Sequence, residues 1–250
     1  MIRSSSIADV RGILGREMKL YCVVTPSHRS LYERFFIPSL DRSAFELHDL
    51  WLEQEGDGDF LADDFKSCIR FKLAKIRESI DQNPGKIIVW SDIDIQFFSL
   101  QPEHILAYFD AETDFVAQRL NSHDRVVCGG FYAIRCSSKM KDFFERITQV
   151  TQEETGGNEQ EAINSVLTIA PRSINWRLFG SEFYARTHGI RIPKGALLHH
   201  ATCVIPGDSI GQKTQMLHAL EQFEQWNPLR KGLYTLQQLP AALRRKFGRG

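Results

Sequence analysis

The chain has 250 residues, of which 31 are basic and 31 acidic, so its formal net charge is zero. This length suits one sizeable α/β domain, and 42% apolar with 25% charged residues is ordinary for a folded globular protein. The charge balance argues against a general nucleic-acid binder, whose affinity depends on a positive surface facing phosphates. No apolar run approaches the roughly 20 residues of a membrane span, and residues 1–16 lack the apolar block of a secretory signal.

The cysteines are scattered and form no CxxC pair, which argues against a zinc knuckle or a disulfide framework. They are Cys22, Cys68, Cys128, Cys136 and Cys203. This pattern predicts a reduced, cytoplasmic protein.

Short apolar runs bounded by turn residues predict buried strands at 20–25, 45–50, 86–90, 115–118, 131–135 and 196–204. Apolar residues three and four positions apart predict a helix at 63–82, and further helices are predicted at 29–40, 139–150, 159–169 and 212–225. This alternation predicts an α/β fold with a mainly parallel central sheet and helices on both faces. We expect residues 1–18 to be a flexible leader, 19–225 one folded domain, and 226–250 a C-terminal extension with a basic tail.

Two aspartates, Asp92 and Asp94, directly follow the predicted strand at 86–90. Residues two apart in an extended chain point the same way, so the two carboxylates converge and repel each other. A divalent cation relieves that repulsion, and carboxylate oxygens suit Mn²⁺ or Mg²⁺, which also take substrate phosphate oxygens as ligands. The alternative is a solvated turn, but the apolar residues on both sides, including Phe97-Phe98, favour the metal interpretation.

A lysine, Lys72, lies on the apolar face of the predicted helix at 63–82. A buried ammonium costs several kcal/mol unless it meets an anion. Its stem can pack while its head reaches water. Alternatively it pairs with a substrate anion or with the acidic pair, because this helix leads directly to the strand before Asp92.

Two segments further along the chain are candidates for ligand contact. Gly129-Gly130 precedes an apolar strand, where glycines permit close approach of a ligand to the backbone, or simply form a bulge. Asn158 is a helix N-cap residue that places Glu159 and Gln160 in the first turn of the helix.

Adjacent histidines, His199 and His200, follow two leucines near the end of the chain. On a strand they face opposite ways, so only one can enter a given site, as a metal ligand or as a hydrogen-bonded core residue. Lys213 follows in a glycine-containing loop, where it is either a diphosphate contact or a solvated lysine.

Taken in order, these features resemble the nucleotide-diphospho-sugar transferase family of glycosyltransferases, which has the A-type glycosyltransferase fold. The resemblance runs from residue 20 to about residue 217 and rests on Lys72, Asp92-Ile93-Asp94, Gly130-Phe131, Glu159-Gln160, His200-Ala201 and Lys213. Two positions depart from the residues usual in the family: Thr202 replaces asparagine, and Cys128-Gly129 replaces Asn-Ser or Asn-Thr.

The resemblance implies a role for each matched residue. Asp92 and Asp94 would bind Mn²⁺ (or Mg²⁺) on the donor diphosphate, with His200 as a further metal ligand. The implied donor-binding residues are Thr25, Lys72, Asp92, Ile93, Gly130 and Lys213, of which the two lysines would contact phosphate. The implied catalytic residues are Asp94, Glu159 and Gln160, and Glu159 and Asp124 are the candidate carboxylate bases.

The function that follows is transfer of a sugar from a UDP- or GDP-sugar to a hydroxyl of a carbohydrate or glycoconjugate acceptor. The resemblance favours retention of configuration at the sugar.

Two alternatives stay open. Phosphatases of the aspartyl-phosphate type also place Asp-x-Asp after a strand, but they usually have threonine or valine where this chain has Gln96, and a later acidic pair. A non-catalytic nucleotide-sugar binding module would use the same ligands as an enzyme. The basic tail at 239–249 is a solvated end or a weak peripheral contact with anionic lipid.

Overall fold

The computed structural model describes residues 18–56, 58–59, 62–120, 125–153, 158–170, 174–184, 195–202, 207–225, 228–229 and 233. The predicted leader up to residue 17, the base candidate Asp124 and the tail at 239–249 lie outside these residues. The proposed division of the chain into leader, domain and extension therefore stays a prediction.

The described residues form two sheets. In chain order the strands are β1 Met18–Val24, β2 Phe45–Trp51, β3 Ile87–Ser91, β4 Ile95–Phe97, β5 Phe115–Arg119, β6 Val127–Arg135, β7 Trp176–Leu178, β8 Phe183–Tyr184 and β9 Leu198–His200. The central sheet has six strands in the order β2-β1-β3-β6-β5-β7, and a small sheet has the order β4-β9-β8. Every predicted strand is present, and within the described part of the last one, residues 196–202, the strand is β9.

The central sheet is mainly parallel, as predicted. The pairs β1–β2, β1–β3 and β5–β7 are parallel, whereas β6 runs antiparallel to both of its neighbours, β3 and β5. Five strands therefore point their carboxyl ends to the same edge, where ligands bind in open α/β sheets.

Helices occupy the predicted positions. They are α1 at 29–39, α2 Asp63–Gln82, α3 Pro102–Leu106, α4 Ser138–Glu153, α5 Glu159–Ile169 and α6 Ser209–Gln225. The α1 segment follows a 3-10 turn at Pro26–His28 and contains a π-helical stretch, Tyr32–Phe36. The short elements α3, β4, β7 and β8 were not predicted, because two to five residues are too few to show a period.

Apolar side chains cover both faces of the central sheet. Successive residues of a strand point to opposite faces, so Tyr21 packs with Ile76 of α2 and Ile163 of α5, while Leu20 packs with Phe36 of α1 and Phe97 of β4. Helices therefore lie on both faces, and the small sheet shares the second face with α1.

The structure describes four of the cysteines and most of the helical residues. Cys22, Cys68, Cys128 and Cys136 are free thiols. Within the part of the chain that the structure describes, no helix has both the length and the apolar character to cross a bilayer.

Two isoleucines of α5 test this packing. Ile163 is fully buried, whereas Ile169 is 69% exposed. Replacement of Ile163 by alanine leaves a cavity under the sheet, so we expect the free energy of unfolding to fall by about 2–5 kcal/mol in denaturant titrations. The same replacement at Ile169 should change it by less than about 0.5 kcal/mol. Equal losses at the two positions would contradict the packing of α5.

Candidate active site

The acidic pair lies in the link between the two sheets. The main-chain N–H of Asp92 donates to the carbonyl oxygen of Gly130 in β6 at 2.7 Å, and the N–H of Ala201 donates to the carbonyl oxygen of Asp94 at 2.9 Å. The Asp94 side chain is only 5% exposed and that of Asp92 is 40% exposed. A solvated turn does not describe Asp94, whose carboxylate is buried.

The acidic pair forms a three-residue cluster with His200. Strand β9 pairs with β4 so that His200 lies opposite Ile95, next to Asp94. Ligand atoms of Asp92, Asp94 and His200 all lie within 4.8 Å of one another. His199 is also buried but is not a member of this cluster.

Two observations fit a divalent cation at this cluster. Asp94 Oδ1 is buried, makes no hydrogen bond of regular geometry among the described residues, and lies 3.2 Å from His200 Nε2. A Cβ atom on Gly130 would lie 1.9 Å from His200 Cε1, so only glycine leaves room for the ring. Two carboxylates and an imidazole are a suitable donor set for Mn²⁺ or Mg²⁺.

Positive groups keep Asp94 ionised. Lys213 Nζ lies 2.8 Å from Asp94 Oδ2. Burial by itself raises the pKa of Asp94, but Lys213 and His200 outweigh it and hold that pKa well below its usual range. Burial opposes the charge of His200, yet the Asp94 carboxylate raises the His200 pKa well above its ordinary value.

Lys72 is buried, with its side chain only 6% exposed, and its ammonium group contacts protein oxygens. Its Nζ donates to Asp92 Oδ1 at 2.8 Å and to Gly129 O at 3.0 Å, and it lies 2.9 Å from Glu159 Oε2. These three acceptors account for the three protons of an ammonium. Burial lowers the pKa of Lys72, but Asp92 and Glu159 more than compensate, so the pKa is raised and Lys72 stays charged.

The first turn of α5 lies behind Lys72. Asn158 caps the helix, as predicted, by accepting from the N–H of Glu161 at 3.3 Å. Glu159 is 3% exposed and accepts a hydrogen bond from Tyr132 Oη at 2.7 Å. Burial raises the pKa of Glu159, and Lys72 opposes that shift. Gln160 Oε1 accepts from the N–H of Gly129 at 3.3 Å.

A pocket opens beside the acidic pair, with about 680 Å³ of empty space that is partly open to solvent. The predicted site residues in its wall are Thr25, Lys72, Asp92, Ile93, Asp94 and Lys213. The others, Gly130, Glu159, Gln160 and His200, are not among its lining residues and lie behind this wall. The structure therefore brings the predicted residues together in two layers.

The residues of the wall that sequence reasoning missed include four with polar or thiol side chains: His28, Gln54, Cys68 and Ser209. Burial, followed by the nearby Lys213, lowers the pKa of His28 to about 4, so the ring is neutral at pH 7. Its Nδ1 lies 3.2 Å from Thr25 Oγ1. Its position just after β1, at the carboxyl edge of the sheet, is the sequence signal that could have identified it.

The start of α6 is fixed by the loop that follows β2. Asp59 in this loop accepts hydrogen bonds from the main-chain N–H groups of Gly207 at 2.6 Å and Ser209 at 3.1 Å. Its carboxylate thus satisfies N–H groups at the start of the helix that carries Lys213. One wall of the pocket depends on this long-range contact.

Comparison with known proteins gives matches to a sequence family and to solved structures. The sequence matches the nucleotide-diphospho-sugar transferase family over residues 69–204, more than half of the chain. A comparison with curated proteins gave no significant match.

Three similar solved structures are all glycosyltransferases. One is involved in the glycosylation of the major capsid of PBCV-1 (TM-score 0.56, 10% identity), with 80% of this chain and 99% of that chain covered. Another is GlyE of Streptococcus pneumoniae TIGR4 (TM-score 0.51, 13% identity), with 83% of this chain and 64% of that chain covered. The third is the bifunctional glycosyltransferase WbbM (TM-score 0.53, 8% identity), with 82% of this chain and 50% of that chain covered. The matched part of this chain thus covers 64% of the length of GlyE, which is less than two thirds, and 50% of the length of WbbM. At these identities the likeness shows the fold.

The fold and the acidic pair at the carboxyl edge of the sheet are those of a glycosyltransferase of the A-type fold. The sequence match extends over both aspartates and His200. The chain belongs to the nucleotide-diphospho-sugar transferase family, which confirms the resemblance inferred from the sequence.

The two glycines of β6 provide a matched test of the cluster. We expect Gly130→Ala to displace the His200 ring and to weaken Mn²⁺ binding about tenfold or more, because a Cβ cannot fit 1.9 Å from Cε1. At Gly129 a Cβ would meet Gln160 Cβ at 3.3 Å, so Gly129→Ala needs only a small shift and should bind Mn²⁺ more tightly than Gly130→Ala. Isothermal titration calorimetry measures both affinities. Equal affinities in the two variants would show that His200 is not held as described.

Proposed function

We propose that this protein transfers a sugar from a UDP- or GDP-sugar to a hydroxyl of a carbohydrate or glycoconjugate acceptor, with Mn²⁺ or Mg²⁺ as its cofactor. One observation carries the proposal: Asp92 and Asp94 line a pocket that also contains Lys213, and they form a cluster of possible cation ligands with His200 behind the pocket wall. When bound, the cation would neutralise charge on the donor diphosphate. Membership of the family supports the donor class, and the choice between UDP and GDP is left to experiment.

The residues of the chain suit the charge changes of this reaction. The bond between the sugar C1 and the diphosphate oxygen breaks with its electron pair on the diphosphate, and the acceptor oxygen bonds to C1. Lys213 can stabilise the developing negative charge from the pocket wall. The three protons of the Lys72 ammonium group are already directed at protein oxygens, one of which belongs to Asp92. Lys72 therefore holds Asp92 in place, and it can contact phosphate only by giving up one of these partners.

Retention of configuration is part of the proposal. Among the described residues of the pocket wall, the carboxylates are Asp92 and Asp94, and both belong to the cation site. Glu159 is buried behind Lys72, where it cannot reach an acceptor hydroxyl in this arrangement. An inverting enzyme needs a carboxylate base, whereas retention with the hydroxyl proton passing to the departing phosphate oxygen does not.

Two further predictions concern the C-terminal tail and the acceptor. Nothing in the described residues supports the peripheral membrane contact predicted for the tail. The family resemblance further implies that Gly130 and Gln160 border the sugar and the acceptor, which stays a prediction because both residues lie behind the pocket wall.

A thermal-shift screen identifies the donor. Ligands that bind only the native state raise its stability, by about 2.7 kcal/mol at a hundred times Kd, which is a rise in Tm of roughly 5–10 °C for this size of chain. We expect one class of UDP- or GDP-sugar to produce this rise with Mn²⁺ and not with EDTA. A rise that is the same with EDTA would argue against a cation in donor binding.

An aspartate exchange then tests turnover. With the donor so identified, Asp94→Asn should reduce Mn²⁺-dependent release of nucleoside diphosphate roughly 100-fold or more, because it removes charge where the leaving group is stabilised. Asp63→Asn, at a fully exposed side chain, is the matched control and should leave the rate unchanged. Proton NMR of the product gives the anomeric configuration.

The same assay separates the alternatives. Donor binding without hydrolysis or transfer would indicate a binding module. Hydrolysis of aryl phosphates but not of nucleotide sugars would indicate a phosphatase, which membership of the family does not favour.

A further inference from the structure

The imidazole of His200 has a partner on the side that faces away from the acidic pair. His200 Nδ1 lies 2.9 Å from Oε1 of Gln118 in β5, and Nε2 lies 3.2 Å from Asp94 Oδ1. Gln118 is completely buried, and His200 is 5% exposed. The ring therefore bridges a buried amide and the cation site.

The orientation of the Gln118 amide is fixed by a second hydrogen bond. Gln118 Nε2 donates to the carbonyl oxygen of Phe183 at 3.2 Å, which leaves Oε1 directed at the histidine. An amide oxygen only accepts hydrogen bonds, so the proton between the two residues must belong to His200 Nδ1. When Nε2 loses its proton to make way for a cation, the proton on Nδ1 stays on the Gln118 side and the Nε2 lone pair is presented on the side of Asp94.

A break in the strand register brings Gln118 to this position. Ala117 pairs with Tyr132, but the next residue, Gln118, pairs with Cys128. The residues passed over are Gly129, Gly130 and Phe131. Bulges next to functional sites commonly redirect a side chain, and this one places the amide of Gln118 and the backbone of Gly130 on the same imidazole.

Another group competes for the same ring nitrogen. Cys128 Sγ lies 3.4 Å from His200 Nδ1. A thiol that donated to Nδ1 would leave the proton on Nε2 and block cation binding there. The amide contact is shorter, and its oxygen cannot donate, so Gln118 decides the tautomer while the thiol is at most a weak second acceptor.

We propose that Gln118 is a positioning residue, which holds His200 as the Nδ1–H tautomer and so presents Nε2 to a divalent cation. The inference rests on the proposed function, because it assigns a role toward the cation of that site. The chemistry is that of metal-ligating histidines, whose second nitrogen donates to a carboxylate or carbonyl oxygen and whose outer partners affect metal affinity 10–100-fold.

The test measures binding of Mn²⁺ alone, from the electron paramagnetic resonance signal of the free ion, with no nucleotide present. We expect Gln118→Leu to weaken Mn²⁺ binding about 10–100-fold, because leucine has a similar size but no acceptor. Gln118→Glu keeps an acceptor oxygen at the same reach, and burial favours a carboxyl group that is protonated on its other oxygen and still donates to Phe183 O, so this variant should remain within several-fold of the wild type. Gln82→Leu, the same exchange at an exposed position, should bind as the wild type does.

Melting temperatures in EDTA separate positioning from folding. The expected result is a similar Tm for the wild type and Gln118→Leu without metal, with the Mn²⁺-induced rise in Tm lost only in the variant. If Gln118→Leu does not fold, Gln118→Met replaces it, since its flexible thioether fills the space and accepts poorly.

Three results would overturn the inference. The first is wild-type Mn²⁺ affinity in Gln118→Leu or Gln118→Met. The second is a loss in Gln118→Glu as large as that in Gln118→Leu, and the third is a larger loss in Cys128→Ala, which would make the thiol the partner. If instead the wild type itself bound no Mn²⁺, or bound it as tightly with Asp94→Asn, the cation site of the proposed function would fail, and this inference with it.

Discussion

The acidic pair, with Asp94 buried and Asp92 partly exposed, is the constraint on which the rest of the site depends. A carboxylate in an apolar surrounding is several kcal/mol too costly unless a cation accompanies it. Each aspartate has its own positive partners. Lys72 from α2 pairs with Asp92, and Lys213 from α6 pairs with Asp94 together with His200. Segments far apart in the sequence must therefore dock at one point, and the elements of both sheets are held there by charge as well as by apolar packing.

Most of the fold was predictable because its long elements carry a clear period. The apolar face of α2 identifies it as a helix, and the apolar runs of the central strands identify them as strands, in both cases without tertiary information. The short strands β4, β7 and β8 carry no such signal and form only because neighbours pair with them. For the same reason the sequence did not reveal that the acidic pair joins two sheets, a position defined by the pairing of β4 with β9.

The site itself was predictable in residue type but not in arrangement. A strand followed by Asp92 and Asp94 indicates a cation without any structure, and the resemblance adds His200. The hydrogen-bond partner of His200 could not be predicted from the sequence, because the position of Gln118 depends on a register break between β5 and β6. The placement of Glu159 also required tertiary contacts: as a helix N-terminal residue it was a candidate base, whereas burial against Lys72 and Tyr132 makes it a counter-charge.

This assignment of Glu159 affects how the reaction can proceed. Both of its oxygens are engaged, one by Lys72 and one by Tyr132, so using it as a base would require breaking the contacts that hold Lys72 on Asp92. Removing the charge of Glu159 would likewise release Lys72 and disturb the cation site. A base function and the integrity of the acidic pair are therefore in conflict in this arrangement, because the same carboxylate cannot serve both. Chemistry in which the departing phosphate takes the acceptor proton avoids the conflict, and this is the physical reason for favouring retention.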